Sequence, residues 1–380
     1  MLYQVPRLTA ADKRVLGEIE QFRVDLRYQV AHPPRWLGQL RRTLVAGAIR
    51  GSTTIEGYTI NPADAEALAS DEELSTDPDQ ATRDAVEGYK DALTYVQQAA
   101  KFDVFSYHPM LLSALHFMVL RHAIRNAPGR LRTGGIWVSG PPDEPPVYTG
   151  PEAELVPGLM DELCDWLERG DLDAPACVRA AMAHLNLVSI HPWKDGNGRM
   201  SRCLHTLVLA REQVLAPEFS SIEEWLGSSL TNTTSYYAAL NEMGESYQPE
   251  RDAHSWVRFS LTAHHKQAQL VRRRIEIAAQ VWVSLVSLVA AAGLPERSVS
   301  AVYAGTRPGG VRRTTYAKDE ELTRDQSVRD LQGLKAAGLV AELGHGRNQR
   351  YVAAGAAAET ARAVRAGFSS RPLAEPYRSR

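Results

Sequence analysis

The stretch His191-Pro-Trp-Lys-Asp-Gly-Asn-Gly-Arg-Met-Ser-Arg202 constrains the fold of this chain most tightly. Before it, Val178, Ala181, Met182, Leu185 and Val188 recur at helical spacing. After it, Cys203, Leu204, Leu207 and Val208 do the same. Pro192 disfavours the α region at the residue before it, so the first helix is expected to end at His191. A short polar turn must therefore join two apolar helices, with an imidazole at its rim.

Each residue type in the turn has a chemical use. Gly196 and Gly198 open backbone conformations closed to other residues and leave room for a ligand. A glycine-rich loop opening a helix points free N–H groups at an anion, and the helix dipole favours negative charge there. Asn197 adds an amide donor. Arg199 and Arg202 stand three apart and share a helix face, where two guanidiniums suit phosphate oxygens. Asp195 is a hard oxygen ligand, suited to Mg2+ shared with a polyphosphate. A neutral His191 can take a proton from an attacking hydroxyl. Each piece alone is commonplace: Gly-Asn-Gly makes turns and paired arginines line solvated helices. The ordered whole reads as a site for phosphoryl or nucleotidyl transfer.

This stretch resembles the signature of the Fic family, H-P-F-x-[D/E]-G-N-G-R-x-x-R, with Trp193 in place of Phe. The resemblance implies AMP transfer from ATP to a hydroxyl side chain of a protein, with Mg2+. His191 would be the general base and Asp195 the metal ligand. Gly196, Asn197 and Gly198 would hold the phosphates, with Arg199 and Arg202 on the outer ones. Ser52-Thr-Thr-Ile-Glu56-Gly57 reads by itself as a helix end with a glycine stop. It also resembles the family's inhibitory signature, [S/T]-x-x-x-E-[G/N], opening at Ser52. That implies Glu56 pairing with Arg202, where a carboxylate would displace and repel a γ-phosphate.

Gly135 to Thr149 reads as a hairpin around a proline-rich turn. By resemblance it is a flap over the site that holds the target segment by strand addition. Val138, Ser139, Gly140 and Pro141 would then border the nucleotide. Tyr236 and Tyr237 suit core packing, but by resemblance they line an adenine pocket, where rings can stack. The likeness extends over roughly residues 40–265 and includes Pro-Gly-x-x-Arg ending at Arg132. His108, His116 and His122 are given no chemistry.

A chain of 380 residues holds two or three domains. The expected fold is mainly α: a Fic-type helical bundle with a β-hairpin flap, plus a C-terminal winged-helix domain. The expected divisions are a helical region over 1–100 with the inhibitory helix at about 37–57, a catalytic core over 101–265, a winged-helix-like unit over 266–355 and a tail over 356–380 that starts as a short Ala-rich helix and ends loose. Residues 61–82 read as a loop-rich link, and helical periodicity resumes over 83–126. In the third unit, Thr323 to Lys335 reads as a helix and Gly338 to Tyr351 as a glycine-tipped hairpin. Arg324, Arg329, Lys335, Arg347 and Arg350 could meet DNA phosphates. Asp325 and Asp330 share their helix, so DNA is the lesser reading and protein contacts the greater.

A net charge of −2 excludes a whole-molecule polyanion binder. Cys164, Cys177 and Cys203 lack metal-ligand spacing, and their odd count argues against a disulfide framework. A reducing cytoplasm is the expected setting. The N-terminus lacks the apolar core of a signal peptide. The apolar run around Val281 to Leu294 is read as a buried helix, too short to span a membrane. The expected activity is an autoinhibited protein adenylyltransferase, a homodimer, with itself as a possible substrate and hydrolysis of the AMP–protein bond as a possible second reaction. The alternatives are transfer of another phosphate-containing group, or a DNA-binding regulator acting through the C-terminal unit.

Overall fold

A computed structural model describes the chain except for residues 32–33, 73, 75, 140–145, 215, 347–348, 370 and 379–380. Helices dominate it, and their limits follow local chemistry. α1 (Ala10–Ala31) and α2 (Leu37–Ile55) stand on either side of the expected proline break. Gly57, at φ +88°, lies just past the end of α2. The expected loop-rich link instead contains α3 (Pro62–Ala69). Asn61 caps it, accepting from Asp64 N–H, and Pro62 pre-sets the first turn. Asp79 caps α4 (Gln80–Ala99) through Thr82 N–H. The periodicity expected over 83–126 is broken after α4 and restarts at α5 (Pro109–Leu120), whose cap is the His108 ring.

The hairpin forms as β1 (Trp137–Val138) and β2 (Tyr148–Thr149), antiparallel, with Trp137 opposite Thr149. Then come α6 (Val156–Arg169), α7 (Ala176–Ile190) and α8 (Asn197–Arg211). α9 (Pro217–Ser220), α10 (Glu223–Leu226) and α11 (Leu230–Asn241) lead into α12 (His254–Ala291). The C-terminal unit is α13 (Ser298–Gly305), α14 (Arg313–Asp319), α15 (Arg324–Ala336), β3 (Val340–Leu343) and β4 (Arg350–Ala353). A capping box of Thr323 and Gln326 starts α15. β3 and β4 pair antiparallel, and Val311 bridges to Tyr351. α16 (Gly355–Ser369) follows.

Two apolar cores meet along α2 and α12. In the first, α7 and α8 are almost wholly buried, with Ala181, Met182, Leu185, Met200, Leu204 and Leu207 shut away from solvent. The loop that joins these helices is therefore held from both sides. The second core gathers Val271, Ile275, Ala278, Val281, Leu285 and Val289 of α12 at three- and four-residue steps. Against it lie Leu331 and Leu334 of α15 and Leu37, Leu40 and Leu44 of α2.

Several expectations need correction. The boundary drawn at 265–266 falls inside α12, one continuous helix of 38 residues. By length and composition α12 could cross a membrane, since an 18-residue stretch within it has mean hydropathy 1.5, so its apolar run is longer than expected. Its inward stripe belongs to the second core. The segment after α16 is not loose: Lys266 Nζ reaches Glu375, and Tyr377 donates to Asp12. Among the expected DNA contacts, Arg347 lies outside the described residues. Lys335 pairs with Glu342, and the buried Arg350 donates to the Gly309 carbonyl.

Candidate active site

The loop between α7 and α8 is built from its own side chains. His191 sits at φ +50° and closes α7 with its N–H on the Leu187 carbonyl. Its Nδ1 lies 3.0 Å from the Val188 carbonyl. That contact assigns the ring proton to Nδ1 and leaves the lone pair on Nε2. Burial lowers the imidazole's pKa below its ordinary value, and the Val188 contact opposes this only in part. The ring is thus neutral near pH 7.

Gly196, at φ +77°, starts α8. A Cβ there would stand 2.9 Å from Leu120 Cδ1, so both conformation and space demand glycine. The Asn197 amide is not a free phosphate donor as expected. Its Oδ1 accepts from Trp193 N–H and its Nδ2 donates to the Trp193 carbonyl, so it braces the loop. Trp193 is fully buried and stacks on His116, ring centroids 4.4 Å apart.

Sequence reasoning missed three residues that order this loop. His116 accepts from Gly129 N–H at Nδ1, so its Nε2 carries the proton and donates to the Asp195 carbonyl. Burial pushes its pKa down to about 4, which keeps that tautomer. Asn126 donates to Asp195 Oδ2 at 2.8 Å. Arg132 donates to the carbonyls of His191, Gly134 and Pro151, tying the catalytic loop to the base of the hairpin. The expected Pro-Gly-x-x-Arg likeness ended on Arg132, but nothing in its spacing points to these partners.

The two arginines separate in space. Arg202 is 1% exposed. Its Nε donates to Ser52 Oγ, and its Nη2 donates to the Ser52 carbonyl and to Glu56 Oε1 at 2.7 Å. Burial opposes the charge, but Glu56 beside it, together with Tyr236 and Tyr89, outweighs that and raises the guanidinium's pKa. Arg202 Nη1 has no hydrogen-bond partner among the described residues. Arg199 does not join Arg202 at the cavity as expected. Its guanidinium lies over the Tyr58 ring, with Nη2 3.9 Å from Asp195 Oδ1.

A cavity of about 310 Å3 opens on this loop. His191, Asp195, Gly196, Asn197, Gly198 and Arg202 line its floor. Glu56, Val138, Tyr236 and Tyr237 line its walls. A Cβ at Gly198 would lie 2.5 Å from Glu56 Oε1, so the carboxylate fills the space above the helix start. Tyr236 is buried, with its hydroxyl 3.0 Å from His184 Nε2, while Tyr237 is partly exposed and donates to the Ile55 carbonyl. Both sit inside α11. Ser139 is exposed and does not line the cavity, and Ser52 reaches it only through Arg202. Gly140 and Pro141 lie outside the described residues. A larger cavity, about 460 Å3 between α1 and α12, lacks this convergence of imidazole, carboxylate and guanidinium. Chemistry rather than size selects the site.

The hairpin borders the cavity with one edge already filled. Thr149 N–H donates to the Glu245 carbonyl, and Thr149 bridges to Ser246. That leaves the edge of β1, at Trp137, on the outer side. No group of three or more His, Cys, Asp or Glu among the described residues could hold a metal alone. A lone carboxylate such as Asp195 fits a Mg2+ that takes its other ligands from phosphates and water.

Residues 108–209 match the Fic/DOC family. Protein adenylyltransferase fic-1 of Caenorhabditis elegans is 25% identical over 271 residues, 70% of this chain and 48% of that protein. Protein adenylyltransferase Fic of Nematostella vectensis is 27% identical over 208 residues, 54% of this chain and 47% of that protein. The chain thus spans about half the length of these curated relatives. A Fic family protein from Desulfovibrio desulfuricans shares the fold at TM-score 0.59 and 22% identity, over 93% of this chain and 99% of its own. A Fic-1 fragment from C. elegans does so at TM-score 0.55 and 22% identity, over 70% of this chain and 72% of its own. Helix, signature loop and helix, with a hairpin beside them, are therefore one domain of known kind: the chain carries a Fic/DOC-family domain over residues 108–209.

Proposed function

We propose that the protein transfers AMP from ATP to a hydroxyl side chain of a target protein, and that Glu56 holds this activity in check. The observation that carries the reading is the Glu56–Arg202 pair, 2.7 Å apart, in the cavity that also holds His191. The names of the curated relatives support the same reaction.

His191 Nε2 takes the proton from the acceptor hydroxyl. That oxygen attacks the α-phosphorus of ATP in line, the P–O bond to the β-phosphate breaks, and pyrophosphate leaves. The α8 N-terminus at Gly198 and the guanidinium of Arg202 hold the phosphates. Asp195, fixed by Asn126, would hold Mg2+, which when bound offsets the charge of the phosphates. The free edge of β1 holds the target segment, and Tyr237 borders the adenine. With Glu56 in place, Arg202 cannot offer the same donors to a γ-phosphate, and the carboxylate repels one. Residues 298–353 have the element order of a winged helix. With Lys335 and Arg350 engaged within the unit, they serve protein contacts rather than DNA. The unpaired thiols of Cys164, Cys177 and Cys203 suit a reducing compartment such as the cytoplasm.

Intact-mass spectrometry after incubation with ATP and Mg2+ tests the reading. A gain of one AMP on the protein or on a supplied target supports it. A gain of a bare phosphoryl group, or of nothing even in the Glu56→Gly chain, overturns it.

A further inference from the structure

α2 is the element that carries Glu56, and it belongs to two bodies at once. Its second half, with Ala46, Ala48, Ile49 and Ile55, packs in the core that surrounds the site. Its first half, with Leu37, Leu40 and Leu44, packs in the core of the C-terminal unit. Polar contacts reinforce the second attachment. Arg307 donates to the Gln39 carbonyl at 3.1 Å and to Thr43 Oγ1 at 3.2 Å. Arg42 pairs with Asp319 at 2.7 Å, and Gln39 donates to the Ser300 carbonyl. Four residues before its end, Gly51 lies so close to α10 that a Cβ would fall 2.2 Å from the Glu223 carbonyl oxygen.

A helix of 19 residues is about 28 Å of stiff rod. It is gripped at one end, bears on α10 through Gly47 and Gly51 in its second half, and carries the carboxylate one residue past its other end. A hydrogen bond of 2.7 Å is lost when its partners part by about 1 Å. A shift of that size at the Glu56 end of the rod is thus enough to break the pair.

We propose that the C-terminal unit, residues 298–353, sets the state of the site through α2. Its grip on Gln39, Arg42 and Thr43 keeps Glu56 on Arg202, and a partner that draws the unit away frees Arg202 for nucleotide. The idea rests on the AMP-transfer reading only for its activity readout.

The test uses the full chain with the double change Arg307→Ala and Arg42→Ala, and separately Asp319→Asn, which disturbs the seam least. Backbone hydrogen exchange over residues 52–57 is measured first. Labelling with radioactive ATP is then compared in the native and Glu56→Gly backgrounds. Exchange over 52–57 is expected to speed up about tenfold, and labelling to rise about tenfold in the native background alone. Unchanged exchange over 52–57 in both variants overturns the proposal, as does an equal rise of labelling in both backgrounds. Should Glu56→Gly itself show no labelling, the AMP-transfer reading fails, and the exchange result alone decides this one.

Discussion

His191 presents an imidazole whose proton is held at Nδ1 by Val188, so Nε2 is the basic atom. Replacing His191 with Ala should abolish labelling while leaving nucleotide binding measurable by calorimetry. Because burial depresses its pKa, the ring stays neutral below the ordinary value of about 6.5. As pH falls through that lowered value Nε2 gains a proton and the base is lost. The acid limb of the rate profile, read in the Glu56→Gly chain, should therefore break below pH 6.5; a break above it contradicts the assignment. His116 works at one remove, as a brace. His116→Phe keeps a ring on Trp193 but strands Gly129 N–H and the Asp195 carbonyl, at about 1–3 kcal/mol each. Its melting temperature should drop by several degrees and labelling should fall about tenfold, while His116→Ala should lose more through the missing stack.

At the scale of elements, the close approach of α2 and α10 is the sharpest geometric constraint. Gly51→Ala places a methyl against the Glu223 backbone and must push the helices apart. It should destabilise the fold by about 3 kcal/mol, read by denaturant titration, and raise labelling at 20 °C by loosening Glu56. The turn between α7 and α8 was legible in the sequence because proline and glycine act locally. The caps of α3 were equally local, but Asn61 and Pro62 were read as loop residues. The Glu56–Arg202 pair spans 146 residues and was reachable only through the family likeness. His116, Asn126 and Arg132 were illegible, since their partners depend on where distant helices cross. At α12 the sequence reads as helix only over residues 266–292, starting around His264, His265 and Lys266, so the first turns of α12 are missed. In the fold all three are buried, His265 against Glu18 and Lys266 against Glu375.

For the whole molecule, neutral histidines in the core set the response to acid. Burial lowers the pKa of His184 and His264, and brings that of His205 to about 3. The unfolded chain binds these protons near pH 6.5 and the folded one does not. Their contribution is therefore present above pH 6.5 and is lost as pH falls toward the folded values, at up to about 1.4 kcal/mol per group per pH unit. Glu223 works against them. Burial raises its pKa to about 7, so it favours the fold as pH falls from 7 toward 4.5. Three histidines outweigh one acid, and the melting temperature should fall steadily from pH 6.5 to 5. The whole account turns on one contact between distant parts of the chain, the carboxylate of Glu56 on the guanidinium of Arg202. A charge-assisted hydrogen bond of this kind is worth about 1.5–3 kcal/mol, or roughly a 10- to 150-fold change in occupancy. Radioactive labelling by the Glu56→Gly chain should exceed that of the native chain by about that factor and vanish when His191→Ala is added; equal labelling by the native and Glu56→Gly chains would contradict it.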